Sequence, residues 1–138
     1  MQINKTVFET ELAVRPDDID MNQHVHSSKY IDYVLAARFD QMKKNYRMPI
    51  EEFVSQGFTW VIKATHMEFK RPLTMGDIAI VRTHIEKIEG DSVWVNFEIV
   101  KQQNKKVSCS GWFLYTMVSL KSGRAETIPD WIVERYSI

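Results

Sequence analysis

With 138 residues, 44% of them apolar and 12% aromatic, the chain has material for one buried core and too little length for two full domains, so a single domain over 1–138 is expected. Eighteen basic residues balance eighteen acidic ones with no Lys/Arg block, which argues against a nucleic-acid binder, and the absence of roughly eighteen consecutive apolar residues argues against a membrane helix. A single cysteine, Cys109, excludes an internal disulfide framework; with an acidic start that has no signal-like run, this leads to the expectation of a soluble cytoplasmic protein.

Residues 6–15 place Phe8, Thr10, Leu12 and Val14 on one side of an extended chain and Glu9 and Glu11 on the other, a period of two that predicts a first strand. Pro16 stops it, and Asp17, Asp18 and Asp20 suit a loop. Ser27 or Ser28 then suits the cap of a helix over 29–46. At 100° per residue Lys29, Asp32, Ala36, Asp40 and Lys43 form one narrow stripe, while Tyr30, Ile31, Tyr33, Val34, Leu35, Ala37, Phe39 and Met42 fill most of the rest. Such a helix is buried around much of its girth.

Pro49 ends that stretch, and 50–57 reads as a short helical turn. Four segments rich in Val, Ile, Phe, Trp and Thr follow, FTWVIKATHMEF, DIAIVRTHIEKI, SVWVNFEIVKQQ and KVSCSGWFLYTMVSL, joined by turns that suit antiparallel hairpins. A short terminal helix after Pro129 is expected to pack Trp131 and Ile132 back on the core. One strand, one long helix and four strands make an α+β architecture, a sheet wrapped around a buried helix.

The stretch with chemical content is Asp20 to Tyr30, DMNQHVHSSKY, where the acidic loop meets the long helix. A helix N-terminus offers unpaired N–H groups and positive dipole to a developing oxyanion, and a carboxylate just upstream can attack a carbonyl or hold the attacking water.

At these residues the chain resembles the hot-dog thioesterases of the 4-hydroxybenzoyl-CoA thioesterase type, whose signature runs Asp, two residues, Gly, His or Ile, Val and Asn or an aromatic, with a helical Tyr beyond. Here it reads Asp20, Met21, Asn22, Gln23, His24, Val25 and His26, followed by Tyr30. The Asn22-Gln23-His24-Val25 run is similar to the DxNQHVNN segment of the plant acyl-ACP thioesterases, which accommodates Gln23 in place of glycine. The resemblance implies a hot-dog fold, five antiparallel strands wrapped around one long central helix. It implies hydrolysis of a thioester of coenzyme A or acyl carrier protein, in fatty acid metabolism, by a homodimer or homotetramer with sites between subunits and with no cofactor or metal.

Residue by residue, it implies that Asp20 is nucleophile or general base, that Asn22 and His24 orient the carboxylate, the water or the thioester, and that the Ser27 N–H polarises the carbonyl. His26 and Tyr30 complete the substrate-binding set. His26 stands where the plant segment has Asn, and the counterpart of the plant LEYRRE segment, with its catalytic Glu, is Met67-Glu68-Phe69-Lys70-Arg71-Pro72, which leaves Asp20 without a second acid.

The other reactive residues read more plainly. Cys109 alternates with Val107 and Gly111 in an apolar strand and reads as a small hydrophobe, His66 and His84 lie in strands, and Lys63, Lys70, Arg71 and Arg82 are candidates for phosphate contacts or solvated faces. Two alternatives stand beside the thioesterase: a hot-dog hydratase or dehydratase, and a non-catalytic module that binds acyl-CoA or an acyl carrier.

Overall fold

The computed structural model describes residues 3–138. Strand β1 (Phe8–Ala13) alternates half-buried Phe8, Thr10 and Leu12 with exposed Glu9, Glu11 and Ala13. After a 3-10 turn at Pro16–Asp18 comes the long helix α1 (Lys29–Lys44), then α2 (Ile50–Ser55). The four β-rich segments form β2 (Phe58–Phe69), β3 (Ile78–Glu89), β4 (Ser92–Lys101) and β5 (Val107–Ser119), and α3 (Asp130–Arg135) ends the chain. All pairings are antiparallel, in the order β1-β3-β4-β5-β2, so the hot-dog arrangement expected from the sequence is the one observed. The β3–β4 hairpin turns at Gly90, whose φ of 61° is open to glycine at little cost.

Two apolar clusters share the space between α1 and the sheet. Tyr30, Tyr33, Val34 and Ala37 pack on Val81, Phe97, Ile99 and Phe113, while Met42, Tyr46 and Met48 gather with Phe53, Val95, Met117, Ile132 and Tyr136. Each large apolar side chain buried this way contributes roughly 1.5–3 kcal/mol. Between the second half of α1 and the sheet the packing leaves a cavity of about 480 Å3.

Three expectations need correction. Neither serine caps α1: Ser28 has near-helical torsions and makes no side-chain cap, because its Oγ turns to His26 Nδ1 at 2.8 Å instead. Phe39 is exposed, and so is Trp131; only Ile132 of that tail pair is buried. In their place α1 buries two polar residues, Arg38 and Gln41. Gln41 is held by Thr83 and donates to Thr10 Oγ1 at 3.1 Å, so strands β1 and β3 supply partners that the helix's own sequence does not contain.

Among the described residues no helix is long and apolar enough to cross a membrane. The sheet ends in β2, an unpaired edge of twelve residues with exposed Val61, Ile62 and Phe69.

Candidate active site

The loop before α1 folds back on itself around Asp20. Asp20 N–H donates to the His24 carbonyl at 2.8 Å, and Gln23, at φ 65°, closes the turn by donating to the Asp20 carbonyl at 3.1 Å. The Asp20 side chain completes it: Oδ1 accepts from the Asn22 N–H at 2.9 Å and from the His24 N–H at 3.3 Å. Such Asx turns are a usual role for aspartate. Among the described residues Oδ2 has no partner, so one carboxylate oxygen is anchored and the other is free.

The turn is pinned from outside. Val25 N–H donates to the Leu73 carbonyl and His26 N–H to the Asp18 carbonyl, each at 2.8 Å. The segment behind it is fixed in turn by Asp77, whose Oδ2 accepts from the Thr74 N–H and hydroxyl at 2.8 and 3.0 Å and pairs with Lys101 Nζ at 3.3 Å. Burial acts against the Asp77 carboxylate, yet the Thr74 hydrogen bonds and Lys101 hold its pKa below the usual range.

Asp18, itself buried, accepts from the Tyr33 hydroxyl on α1 at 2.8 Å, and burial together with this bond pushes the Tyr33 pKa up. Tyr33→Phe removes the donor and leaves a buried carboxylate short of a partner. It is expected to destabilise the fold by about 1–3 kcal/mol, read as a lower urea midpoint at unchanged slope; an unchanged midpoint would show that the bond does not hold the loop.

Asp20, His24, His26, Ser27 and Tyr30 line one open pocket of about 320 Å3 together with Val25, Phe69, Lys70, Arg71 and Pro72. Asn22 is not in the lining; it reaches Asp20 through its backbone, as His24 does, and not through its side chain. His26 Nδ1 faces both the hydroxyl and the N–H of Ser28, at 2.8 and 3.2 Å. The Tyr30 hydroxyl accepts from the Leu73 N–H at 3.1 Å, and its ring meets Phe69 edge-on at 5.3 Å, forming one wall. Burial raises the Tyr30 pKa, so the hydroxyl keeps its proton.

At the start of α1 the N–H groups of Ser28, Lys29 and Tyr30 are taken by His26 Nδ1, the His26 carbonyl and the Ser27 carbonyl. The Ser27 N–H has no partner among the described residues and is the donor left at this helix end.

Asp20 is the one acid in the lining; Glu68 lies on β2 beside His66, at 3.7 Å. Of the basic candidates, Lys70 and Arg71 line the pocket, whereas Arg82 is committed to Glu9 and Glu98 at 3.0 and 3.2 Å. Cys109 is fully buried, which pushes its thiol up to about 12 and removes it as a nucleophile at neutral pH. Sequence patterning does not point to Phe69 and Pro72: Phe69 ends β2 and Pro72 lies just beyond it, and their place beside Asp20 depends on how that strand and the Asp20 loop meet.

The family model described as the Thioesterase-like superfamily matches residues 14–136. The long-chain acyl-CoA thioesterase FadM of Escherichia coli is 19% identical over 118 residues, 86% of this chain and 88% of FadM. The DHNA-CoA thioesterase of Staphylococcus aureus superposes with a TM-score of 0.86 at 18% identity, covering 95% of this chain and 89% of that one. The protein SAV2348 of Staphylococcus aureus, solved in complex with CoA, gives a TM-score of 0.85 at 15% identity, covering 95% and 82%.

Proposed function

Because the chain belongs to the thioesterase-like superfamily, we propose that it hydrolyses an acyl thioester of coenzyme A or acyl carrier protein, with Asp20 as nucleophile or general base. The observation that carries this reading is the half-anchored carboxylate: Asp20 Oδ1 is held by two backbone N–H groups, Oδ2 has no partner among the described residues, and Ser27, whose N–H is likewise without a partner among them, lines the same pocket. In the general-base route Oδ2 takes a proton from water, the hydroxide adds to the carbonyl carbon, and the oxyanion sits on the Ser27 N–H at the positive end of α1. Collapse breaks the C–S bond, and the leaving thiolate takes the proton back from Asp20. In the nucleophilic route Oδ2 itself adds, an anhydride forms as the thiolate leaves, and water then opens it. Label found in Asp20 after one turnover in heavy-oxygen water would establish the anhydride route, since only water attacking the Asp20 carbon of the anhydride can leave it there.

His24 and His26 stand as hydrogen-bonding walls for the thioester, and Lys70 and Arg71 supply the positive charge that suits the phosphates of either carrier. Thiol release across acyl-CoAs from acetyl to palmitoyl plus benzoyl and phenylacetyl tests the function. Sustained release from at least one supports it; saturable binding of CoA and carrier esters without release points to the binding module.

The active assembly in this reading is a homo-oligomer built on β2. The strand is a bare edge with an apolar surface, which soluble proteins cover, and its end at Phe69 borders the Asp20 pocket. A second copy paired antiparallel along β2 would wall the pocket's open side and bring it towards the Thr59–Ile62 end of the neighbouring strand. Ile62→Glu combined with Val61→Glu is expected to yield monomers by light scattering and to cut thiol release at least about tenfold, by analogy with burying unpaired charge. An unchanged molar mass would refute assembly through this edge.

A further inference from the structure

The chemistry at Asp20 makes no use of the 480 Å3 cavity under the second half of α1, which lies in the roughly 300–1,000 Å3 range of small-molecule sites. Its walls are almost entirely carbon, with Leu35, Met42, Trp60, Val95 and Ile128 among them. Thr59 and Tyr136 add hydroxyls to the lining, the latter donating to the Met48 carbonyl, but Arg38 and Tyr115 stand apart. Arg38 is 7% exposed, donates from Nη1 to Thr83 Oγ1 at 3.2 Å, and sits 5.4 Å from the centre of the Tyr46 ring. Among the described residues no carboxylate pairs with it.

The Tyr115 hydroxyl is buried and has no hydrogen-bond partner among the described residues. Burial keeps it protonated, and the Arg38 charge is close enough to act on it. Both residues border this apolar cavity, and a guanidinium with no carboxylate and a buried hydroxyl with no acceptor among the described residues are costly unless something brings oxygen to them. A wholly hydrocarbon ligand would leave both unmet.

We propose that this cavity binds an acyl chain whose far end carries an oxygen acceptor, a carboxylate or a hydroxyl, with Arg38 and Tyr115 donating to that oxygen. The proposal rests on the thioesterase reading for the ligand being an acyl chain. It also uses the assembly along β2, because the cavity is bounded by Thr59, Trp60, Val61 and Ile62, the part of the edge that a neighbouring Asp20 pocket would approach. The carbon walls take the methylenes, and the two donors select the end group.

The test is calorimetric binding of three CoA thioethers that have no carbonyl to hydrolyse: S-decyl-CoA, S-(ω-hydroxydecyl)-CoA and S-(ω-carboxynonyl)-CoA. The wild-type chain is expected to bind at least one oxygen-bearing thioether about tenfold or more tighter than S-decyl-CoA, as suits a hydrogen bond to a charged group. The carboxylate and hydroxyl arms show which acceptor the site takes. Arg38→Met is expected to abolish the carboxylate's advantage, and Tyr115→Phe to weaken that of the hydroxyl. Equal or weaker binding of both oxygen-bearing ligands by the wild-type chain, or no binding of any, overturns the proposal even if Arg38→Met does not fold. Since thioethers need no turnover, a chain that releases no thiol can still show the preference, so the two readings fail separately.

Discussion

Asp20→Asn is expected to lower kcat for thiol release by roughly a hundred- to ten-thousand-fold, the range ascribed to a positioned acid or base, with little change in thermal stability. The asparagine keeps Oδ1, which accepts the Asn22 and His24 N–H groups, and replaces Oδ2, the oxygen with no partner among the described residues. It therefore removes the proposed reacting atom and spares the turn. Asp20→Ala loses both, each backbone hydrogen bond being worth about 1 kcal/mol, and would mix catalysis with loop stability. Steady-state kinetics with thermal denaturation separates the effects; full activity in Asp20→Asn would end the assignment.

Gly111→Ala is expected to cost about 1–3 kcal/mol, as overpacking of a filled interior does, and at roughly 4 °C per kcal/mol for a chain of this size to lower Tm by several degrees or more. A Cβ at this position would overlap the His66 carbonyl oxygen and lie 2.9 Å from its carbon and 3.1 Å from Met67 Cα. These are backbone atoms of the paired strand, where Met67 faces Gly111, so no side chain can swing aside. The damage should reach function as well. The Lys70 and Arg71 N–H groups donate to the Ser108 carbonyl at 2.8 and 3.2 Å, and displacing β2 from β5 displaces the pocket wall at Phe69–Arg71. A Tm within a degree of the wild-type value would show that the two backbones are not this close.

Local patterning made the elements legible. The period of two in β1, the uninterrupted run of α1 and the β-branched segments after Phe58 all correspond to observed elements, and the clustering of Asp20, His24, His26, Ser27 and Tyr30 follows from their nearness in sequence at a turn before a helix. What the sequence concealed depends on partners far along the chain. Arg38 and Gln41 fall on the apolar side of a helical wheel, opposite the charged stripe, and nothing near them in sequence names the partners that make their burial possible; Thr83 and Thr10 reach them from β3 and β1. Phe69 and Pro72 join the site only through the meeting of the β2 end with the Asp20 loop.

The register shifts at Ile62/Ala64 and Ile85/Lys87 carry no signature in residue type, because a bulge is set by the register of the paired strands. Gly111 reads as a weak spot in a strand until the approach of His66 gives it a reason.

The geometry at Asp20 is tested most directly by a crystal structure of Asp20→Asn grown with an intact acyl-CoA substrate. The thioester carbonyl oxygen is expected within hydrogen-bond distance of the Ser27 N–H, with the carbonyl carbon facing the Asn side-chain nitrogen that replaces Oδ2. An ordered thioester lying elsewhere, with residue 20 out of contact, would contradict it.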